Sequence, residues 1–587
     1  MSESTTTENA IEQFQRWTHL VGRAQQLMLE FWTRHDGAAA ANPDPMGILQ
    51  TWQAMASAAA ANPARLVEAQ TALWQDSVKL WSAFLSGHPE QGPAADAKDK
   101  RFASPAWREN PAFEFMRQSY LLAAQHIMAS VGALDGLDEH SRAKAQFLTK
   151  QFVDAISPSN FALTNPDVLN ATLESQGENL IKGLENLLQD LENGRMRMVD
   201  EAAFEVGRNV AATPGKVVFE NRMFQLIQYA PTTEHVYETP LVIFPPWINK
   251  FYILDLTPKK SFIRWAVDQG LTVFVVSWAN PNEQHADVTL ETYVTEGMLT
   301  AIDKALEATG AKAINAIGYC VAGTTLAAAL AYLAAKGEAK KVASATFFTA
   351  QVDFSEAGDL NVFVDDEQLA SIEALSKDKG YLDGRYMATT FNLLRSNDLI
   401  WNYVVNNYML GKDYLPFDLL YWNSDATNVP CAWHGSYLRD LYRDNKLVAR
   451  GGISIDGTPI DLSEVKTPVY VQAGREDHIA PAKSVYKIVH HFKGPIRFVL
   501  AGSGHIAGVV NPPSAGKYQH WVVEADKPPA SLDEFVAAAK EVKGSWWPDW
   551  IAWLSARSGK KVPARVPGDG PLKAIEDAPG RYVKVRI

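Results

Sequence analysis

The chain has 587 residues, 47% of them hydrophobic and 21% charged, a globular composition with material for more than one domain. Its net charge of −12 excludes wholesale nucleic-acid binding, which needs a basic face, so an anionic ligand has to be held by a local cluster of Arg or Lys. The two cysteines, Cys320 and Cys431, lie far apart and without metal-ligand spacing, so neither a disulfide scaffold nor a metal site is expected.

The opening residues, Met1 to Asn9, are polar and acidic, and no apolar run reaches the roughly 18 residues that cross a bilayer. A cytoplasmic chain with no membrane span is expected. Trp17, Leu20, Val21, Ala24, Leu27, Met28 and Phe31 recur at three- and four-residue steps and predict a helix. A second helix runs from about Pro63 through Leu66, Ala69, Leu73, Val78, Leu80, Trp81 and Leu85. The Gly-, Pro-, Ala- and charge-rich stretch Gly87 to Lys100 reads as a linker. Helical patterning resumes at Pro111 and continues to about Asn193, broken near Ser157–Pro158. Residues 1–205 are therefore an α-helical N-terminal region, most simply a packing or dimerisation module. The 17 tryptophans of the chain point either to a large core or to an apolar ligand.

From about Val217 the texture changes. Short apolar runs, Leu241–Phe244, Val273–Trp278, Ala313–Tyr319, Ala345–Val352, Val469–Ala473 and Ile496–Ala501, alternate with helical stretches such as Tyr293–Ala308 and Val321–Ala335. That alternation predicts an α/β domain over 206–587 with a mostly parallel sheet covered on both faces. Residues 354–461 break the rhythm and carry Tyr403, Tyr408, Tyr414, Phe417, Tyr421, Trp422 and Trp433. An aromatic insertion between two strands reads either as a lid over the site or as a helical subdomain that adds core.

The strongest local signal is the strand Ala313–Tyr319 running into Gly318-Tyr-Cys-Val-Ala-Gly323 and then into an Ala/Leu-rich helix. This is a strand, a sharp turn and a helix, the pattern of an α/β-hydrolase nucleophile elbow, with Cys320 at the apex. At a helix N-terminus the positive end of the dipole favours thiolate. Such a nucleophile needs a base and a group that orients the base. Asp477 follows the strand Val469–Ala473, and His505 follows Ile496–Leu500, in hydrolase order and each beyond its own strand. His478 neighbours Asp477; it is a candidate substrate contact and ranks below His505 as the base. Acyl transfer also needs oxyanion donors. One is the backbone N–H of Val321. The other comes from the loop Pro245-Pro-Trp-Ile-Asn-Lys250, where the prolines have no N–H and Trp247, Ile248 or Asn249 must serve; Ile248 is favoured.

The box Gly318-Tyr-Cys-Val-Ala-Gly-Thr resembles the lipase-like box of polyhydroxyalkanoate synthases, in which cysteine replaces the lipase serine. Pro245-Pro-Trp-Ile-Asn-Lys-Phe-Tyr-Ile-Leu-Asp, Leu393-Leu-Arg-Ser-Asn-Asp-Leu-Ile-Trp, Arg475-Glu-Asp-His-Ile-Ala-Pro, Gly502-Ser-Gly-His-Ile-Ala-Gly, Gly544-Ser-Trp-Trp-Pro-Asp-Trp and Ala578-Pro-Gly-Arg-Tyr-Val also resemble blocks of that family. The N-terminal helices and the Trp-Trp-Pro block resemble its class I members, which act as homodimers without a second subunit type on short-chain 3-hydroxyacyl-CoA. The resemblance implies Cys320 as nucleophile, His505 as base, and Asp477 as the residue that either orients His505 or activates the incoming 3-hydroxyl. The box departs from the family at Ala322, where a glycine is usual.

The reaction this implies moves an acyl group from coenzyme A to Cys320 and then onto a growing polyester, with no cofactor, since the thioester is the substrate. Arg395 is a candidate for the CoA phosphates, with a buried salt bridge as the alternative, and Asn249 is a further substrate contact. Association with polyester granules and their proteins is expected. The rivals are a cysteine-variant thioesterase or esterase of the same fold and a non-catalytic granule-binding protein.

Overall fold

The computed structural model describes residues 47–524 and 527–587. The helix expected around Trp17 to Phe31 lies outside the described residues. The described chain forms two compact units. One contains the residues up to Asp200 together with Thr389–Leu415, and the other contains Glu201–Ala388 with Pro416–Ile587.

The first unit is helical: α1 (Ile48–Ala61), α2 (Pro63–Leu85), α3 (Pro111–Gly132), α4 (Glu139–Ala155), α5 (Pro166–Glu174) and α6 (Glu178–Glu192). Three of these open with proline at the first turn, where its missing N–H costs nothing. Side chains of Asn110, Asp138 and Asn165 cap the N-termini of α3, α4 and α5. The expected linker over Gly87–Lys100 is packed rather than slack. Gln118 Nε2 donates to the Pro89 carbonyl at 2.9 Å, Arg117 donates to the Ala95 carbonyl at 3.1 Å, and Ala94 is buried. Buried Arg117 and Gln118 need acceptors, and the turns of this Gly/Pro-rich segment supply them. The insertion expected over 354–461 is divided between the units. Within 389–415, Tyr408 and Tyr414 donate to Asp190 of α6 at 2.7 and 3.2 Å, and the Met409 carbonyl accepts from Asn179 at 2.8 Å.

The second unit is built on β1 (Gly215–Glu220), β2 (Phe224–Tyr229), β3 (Leu241–Phe244), β4 (Val273–Trp278), β5 (Ile314–Tyr319), β6 (Val342–Phe348), β7 (Val469–Gly474), β8 (Ile496–Ala501), β9 (Gln519–Val522), β10 (Lys540–Lys543) and β11 (Glu576–Asp577). They form one sheet in the order β10-β9-β8-β7-β6-β5-β3-β4-β2-β1-β11. The centre, from β8 to β4, is parallel, and the flanking strands on both sides are antiparallel. The central strands β3, β4, β5 and β7 are buried along their whole length, which is why they read as continuous apolar runs without alternation. Strand β6 ends at Phe348 rather than Val352, because Thr349 takes φ +42° and turns the chain out of the sheet.

Register brings the C-terminal ends of the central strands level. Phe244 pairs with Gly318, Tyr319 with Phe348, Phe348 with Gln472, and Gly474 with Ala501. The loops that follow these residues therefore emerge side by side at one edge of the sheet. On one face the sheet packs on α7 (Trp547–Ser555), whose tryptophans are core and not an exposed apolar surface. Trp546, Trp547 and Trp550 are fully buried, and each indole N–H has an acceptor: Gly508 O at 2.7 Å, Val509 O at 2.9 Å and Thr346 Oγ1 at 3.0 Å. Trp550 also packs 5.1 Å from the Phe262 ring. Replacing Trp550 by Ala leaves a cavity and an unpaired Thr346 hydroxyl beneath the sheet. It should lower the stability of this unit by about 3–5 kcal/mol, read from the midpoint of its denaturant unfolding.

Candidate active site

Cys320 sits between β5 and the helix α8 (Val321–Ala335), at φ +53° and ψ −126°. A non-glycine residue at positive φ is strained and persists only where its surroundings hold it. Here its N–H donates to the Phe348 carbonyl at 2.9 Å and its carbonyl accepts from Gly323 N at 2.8 Å. Strand and helix meet so closely around this turn that two side chains have no room. A Cβ on Gly318 would lie 2.6 Å from Gly323 Cα, and one on Gly323 would lie 2.3 Å from the Ala350 methyl. Ala322, the departure noted in the box, is fully buried in the first turn of α8 and is not at positive φ, so its methyl group is accommodated.

Asp477 and His505 occupy the neighbouring loops. The Asp477 side chain is fully enclosed; its Oδ1 accepts the N–H groups of Ile479 and Ala480, both at 2.9 Å. Its Oδ2 lies 2.7 Å from His505 Nδ1. That bond assigns the Nδ1 proton to the Asp477 side and turns Nε2 away from it. The Cys320 sulfur acts on the His505 ring strongly enough to raise its pKa, and the Tyr319 ring lies 5.9 Å from it. The loop holding His505 makes its own turn at Ser503, φ +87°, and Tyr319 donates its hydroxyl to the His505 carbonyl at 3.2 Å. Burial disfavours the imidazolium, but the charge of Asp477 and the Cys320 sulfur outweigh it, and the His505 pKa stands well above the ordinary histidine value.

The loop after β3 runs beside the turn, because Phe244 and Gly318 are in register. It is pinned by Trp278 Nε1 donating to the Pro245 carbonyl at 2.8 Å and by Trp247 Nε1 donating to Thr325 Oγ1 at 3.3 Å. Ile248 and Asn249 are half-buried, and Ile248 packs with Cys320 on the same core. Among the described residues, the N–H groups of Val321 and Ile248 have no protein acceptor. His478 is half-buried in the turn after Asp477 and takes no part in the Asp477–His505 bond. Arg395 belongs to the helical unit, where it is exposed and pairs with Asp398 at 2.9 Å. No group of three or more His, Cys, Asp or Glu side chains among the described residues is arranged to hold a metal ion.

Two residues that the sequence reading did not single out belong to the core against which Cys320 packs. Tyr437 and Tyr442 are buried, and both phenols are held protonated, their pKa raised first by burial and then, among other charges, by Cys320. Their rings lie 5.6 Å apart, with Phe354 4.7 Å from Tyr442 and Trp247 5.5 Å from Tyr437. A spacing of five puts two residues out of phase on an α-helix. The segment Tyr437–Arg443 is a π-helix, closed by Asp444 N donating to Arg439 O, and this geometry brings residues five apart onto one side. Nothing in the local sequence announces a π turn; the only available signal was the density of aromatics at 433–442.

Residues 98–266 match the family model described as poly-beta-hydroxybutyrate polymerase (PhaC) N-terminus, and residues 240–512 match the alpha/beta hydrolase fold. The chain is 50% identical over 533 residues to the poly(3-hydroxyalkanoate) polymerase subunit PhaC of Rhizobium meliloti (strain 1021), covering 89% of this chain and 86% of that one. It is 49% identical over 535 residues to a poly(3-hydroxyalkanoate) polymerase of Methylorubrum extorquens, covering 89% and 88%. To the poly(3-hydroxyalkanoate) polymerase subunit PhaC of Cupriavidus necator it is 45% identical over 532 residues, covering 89% of each. Among solved structures, a hydrolase from Pseudomonas aeruginosa PA01 matches 51% of this chain and 95% of its own at 15% identity, with a TM-score of 0.31.

Because folding raises the His505 pKa, this group contributes stability that is complete below its unfolded-state value and is lost as pH rises through the folded one. Asp477→Asn removes the charge that opposes burial. The His505 pKa should fall and that part of the stability–pH profile should flatten. Titration of the ring by NMR reads this directly, and a pKa equal to that of the wild type would show that Asp477 does not set it.

Proposed function

The chain belongs to the poly(3-hydroxyalkanoate) polymerase family, and from that membership we propose that Cys320 carries the acyl group as a thioester while His505 moves the protons. The chain is a polyhydroxyalkanoate polymerase, an acyltransferase by reaction class. The observation that carries the finer reading is the 2.7 Å bond between His505 Nδ1 and Asp477, beside which the Cys320 sulfur helps raise the His505 pKa. In the first transfer His505 accepts the Cys320 proton and the sulfur attacks the thioester carbonyl of a 3-hydroxyacyl-CoA. A new carbon–sulfur bond forms on Cys320, the bond to the CoA sulfur breaks, and the CoA thiolate leaves with a proton. One thioester replaces another, so the step is close to neutral in free energy. In the second transfer the 3-hydroxyl of a neighbouring unit gives its proton to His505, and its oxygen attacks the thioester carbonyl on Cys320. An ester C–O bond forms, the C–S bond to Cys320 breaks, and the Cys320 sulfur takes that proton back from His505. The backbone N–H groups of Val321 and Ile248 are the proposed donors to the oxyanion in both steps. No step calls for a cofactor.

Asp477 acts in this reading by orienting His505. Both of its oxygens already accept hydrogen bonds and its side chain is closed to solvent, which supports that role over contact with the substrate hydroxyl. The buried aromatics Tyr437, Tyr442, Phe354 and Trp433 support exclusion of water from an acyl group that water would otherwise hydrolyse. The substrate in this reading is 3-hydroxybutyryl-CoA, and the enzyme a class I homodimer. Work at a polyester granule is supported by one face of α2. There Val67, Trp74, Val78, Trp81 and Leu85, at helical spacings of seven, four, three and four residues, are all exposed. Among the described residues no helix is long and apolar enough to cross a membrane.

The test is CoA release from 3-hydroxybutyryl-CoA, followed with a thiol reagent and by recovery of insoluble polyester. Wild type should release CoA and form polymer, and Cys320→Ala should lower the rate by about 10³-fold or more. CoA release with only free 3-hydroxybutyrate would make the chain a thioesterase. Granule binding without Cys320-dependent release would leave only the non-catalytic reading.

A further inference from the structure

Lys250 ends the loop that carries Ile248, and it is buried: only 4% of the residue is exposed. Its ammonium donates to the carbonyl of Val585, far away in sequence, at 2.6 Å. Its own carbonyl accepts from Trp422 Nε1 at 2.7 Å, and Trp422 lies on the short helix Asp418–Ser424. Beside it, buried Asp425 accepts from Tyr252 OH at 2.7 Å and faces both Lys250 and Arg586. A buried ammonium needs such a setting, because burial alone disfavours its charge.

The loop is thus held by four hydrogen bonds. Trp278 fixes its start at Pro245, Trp247 fixes its middle on Thr325, and its end is fixed by Lys250 on Val585 and by Trp422 on the Lys250 carbonyl. Trp278 and Trp247 hold the side of the loop that comes before Ile248. After Ile248, among the described residues, the Lys250 ammonium on Val585 is the hold made by a side chain of the loop itself, and Trp422 adds a second on the Lys250 carbonyl. An oxyanion donor that drifts by a fraction of an ångström loses most of its effect on the transition state while substrate binding elsewhere is untouched.

We infer that Lys250 is a positioning residue for acyl transfer: clamped on the Val585 carbonyl, it sets the position of the Ile248 N–H, so the segment Tyr582–Ile587 is part of the catalytic apparatus. This rests on the proposed role of Ile248 and Cys320. The role is distinct from that of a fold-stabilising ion pair, because it is exerted on kcat.

The experiment compares wild type, Lys250→Met and a variant lacking residues 585–587 on 3-hydroxybutyryl-CoA. Each change should lower kcat by about 10- to 100-fold with KM within about threefold, as expected for a donor displaced rather than removed. Combining the two should cost no more than either alone, since both break one clamp. The rate of Cys320 alkylation by iodoacetamide should stay at the wild-type level, because the nucleophile and His505 are not displaced. Wild-type kcat in Lys250→Met overturns the inference. So does additive loss in the combined variant, a parallel fall in Cys320 alkylation, or a loss of activity that only follows loss of folded protein in thermal unfolding. If wild type itself shows no Cys320-dependent CoA release, the reading beneath the inference fails instead.

Discussion

The close approach of Gly318 to Gly323 is the constraint on which the site depends. Strand β5 and helix α8 come within a distance that admits no Cβ at either position, and the residue between them is thereby forced to φ +53°. That backbone conformation is unfavourable for cysteine by itself, and it is over-determined here by two hydrogen bonds and by full burial of the flanking residues. The result is a sulfur displayed at the end of the sheet rather than packed inside it. Ala322 shows how local the demand is. One residue before Gly323, in ordinary helical conformation, a methyl group fits; at Gly323 it collides with Ala350.

Everything else that could act on the sulfur arrives by register. Parallel pairing of β3, β5, β6, β7 and β8 brings their C-terminal ends level, so the loops after Phe244, Tyr319, Gly474 and Ala501 share one edge. The electrostatics follow from burial at that edge. An imidazole nine-tenths enclosed would ordinarily be held neutral, yet the enclosed carboxylate of Asp477 reverses the direction of its shift. Both oxygens of the enclosed Asp477 side chain are satisfied, one by His505 and the other by the backbone N–H groups of Ile479 and Ala480.

The second unit also shows how a buried polar group can carry information across the sequence. Lys250, Trp422, Asp425 and Val585 come from three distant parts of the chain, and their hydrogen bonds meet at the end of the loop that carries Ile248. The insertion over 354–461 is equally composite. Part of it belongs with the N-terminal helices, and another part supplies the aromatic surroundings of Cys320.

Much of this was legible without coordinates, for a physical reason. A strand buried on both faces must be apolar throughout, a strained turn between strand and helix needs small residues beside Cys320, and Asp477 and His505 each follow a strand of their own. Those requirements act on neighbouring residues, so they leave local marks, and the central strands, the elbow at Cys320 and the positions of Asp477 and His505 could be read from them. Other features answer to partners distant in sequence and leave no local mark. The Gly87–Lys100 stretch has a linker's composition, but Arg117 and Gln118 bind its carbonyls. The paired Tyr437 and Tyr442 face one way only because the helix there is of the π type. The anchoring of Lys250 on Val585 joins residues that no periodicity connects. The sequence by itself determined which strands are buried and where the turn at Cys320 lies, since both are set by short-range sterics and solvation; tertiary structure alone decided which groups surround that turn, since a hydrogen bond or a ring contact is specified by distance in space and not along the chain.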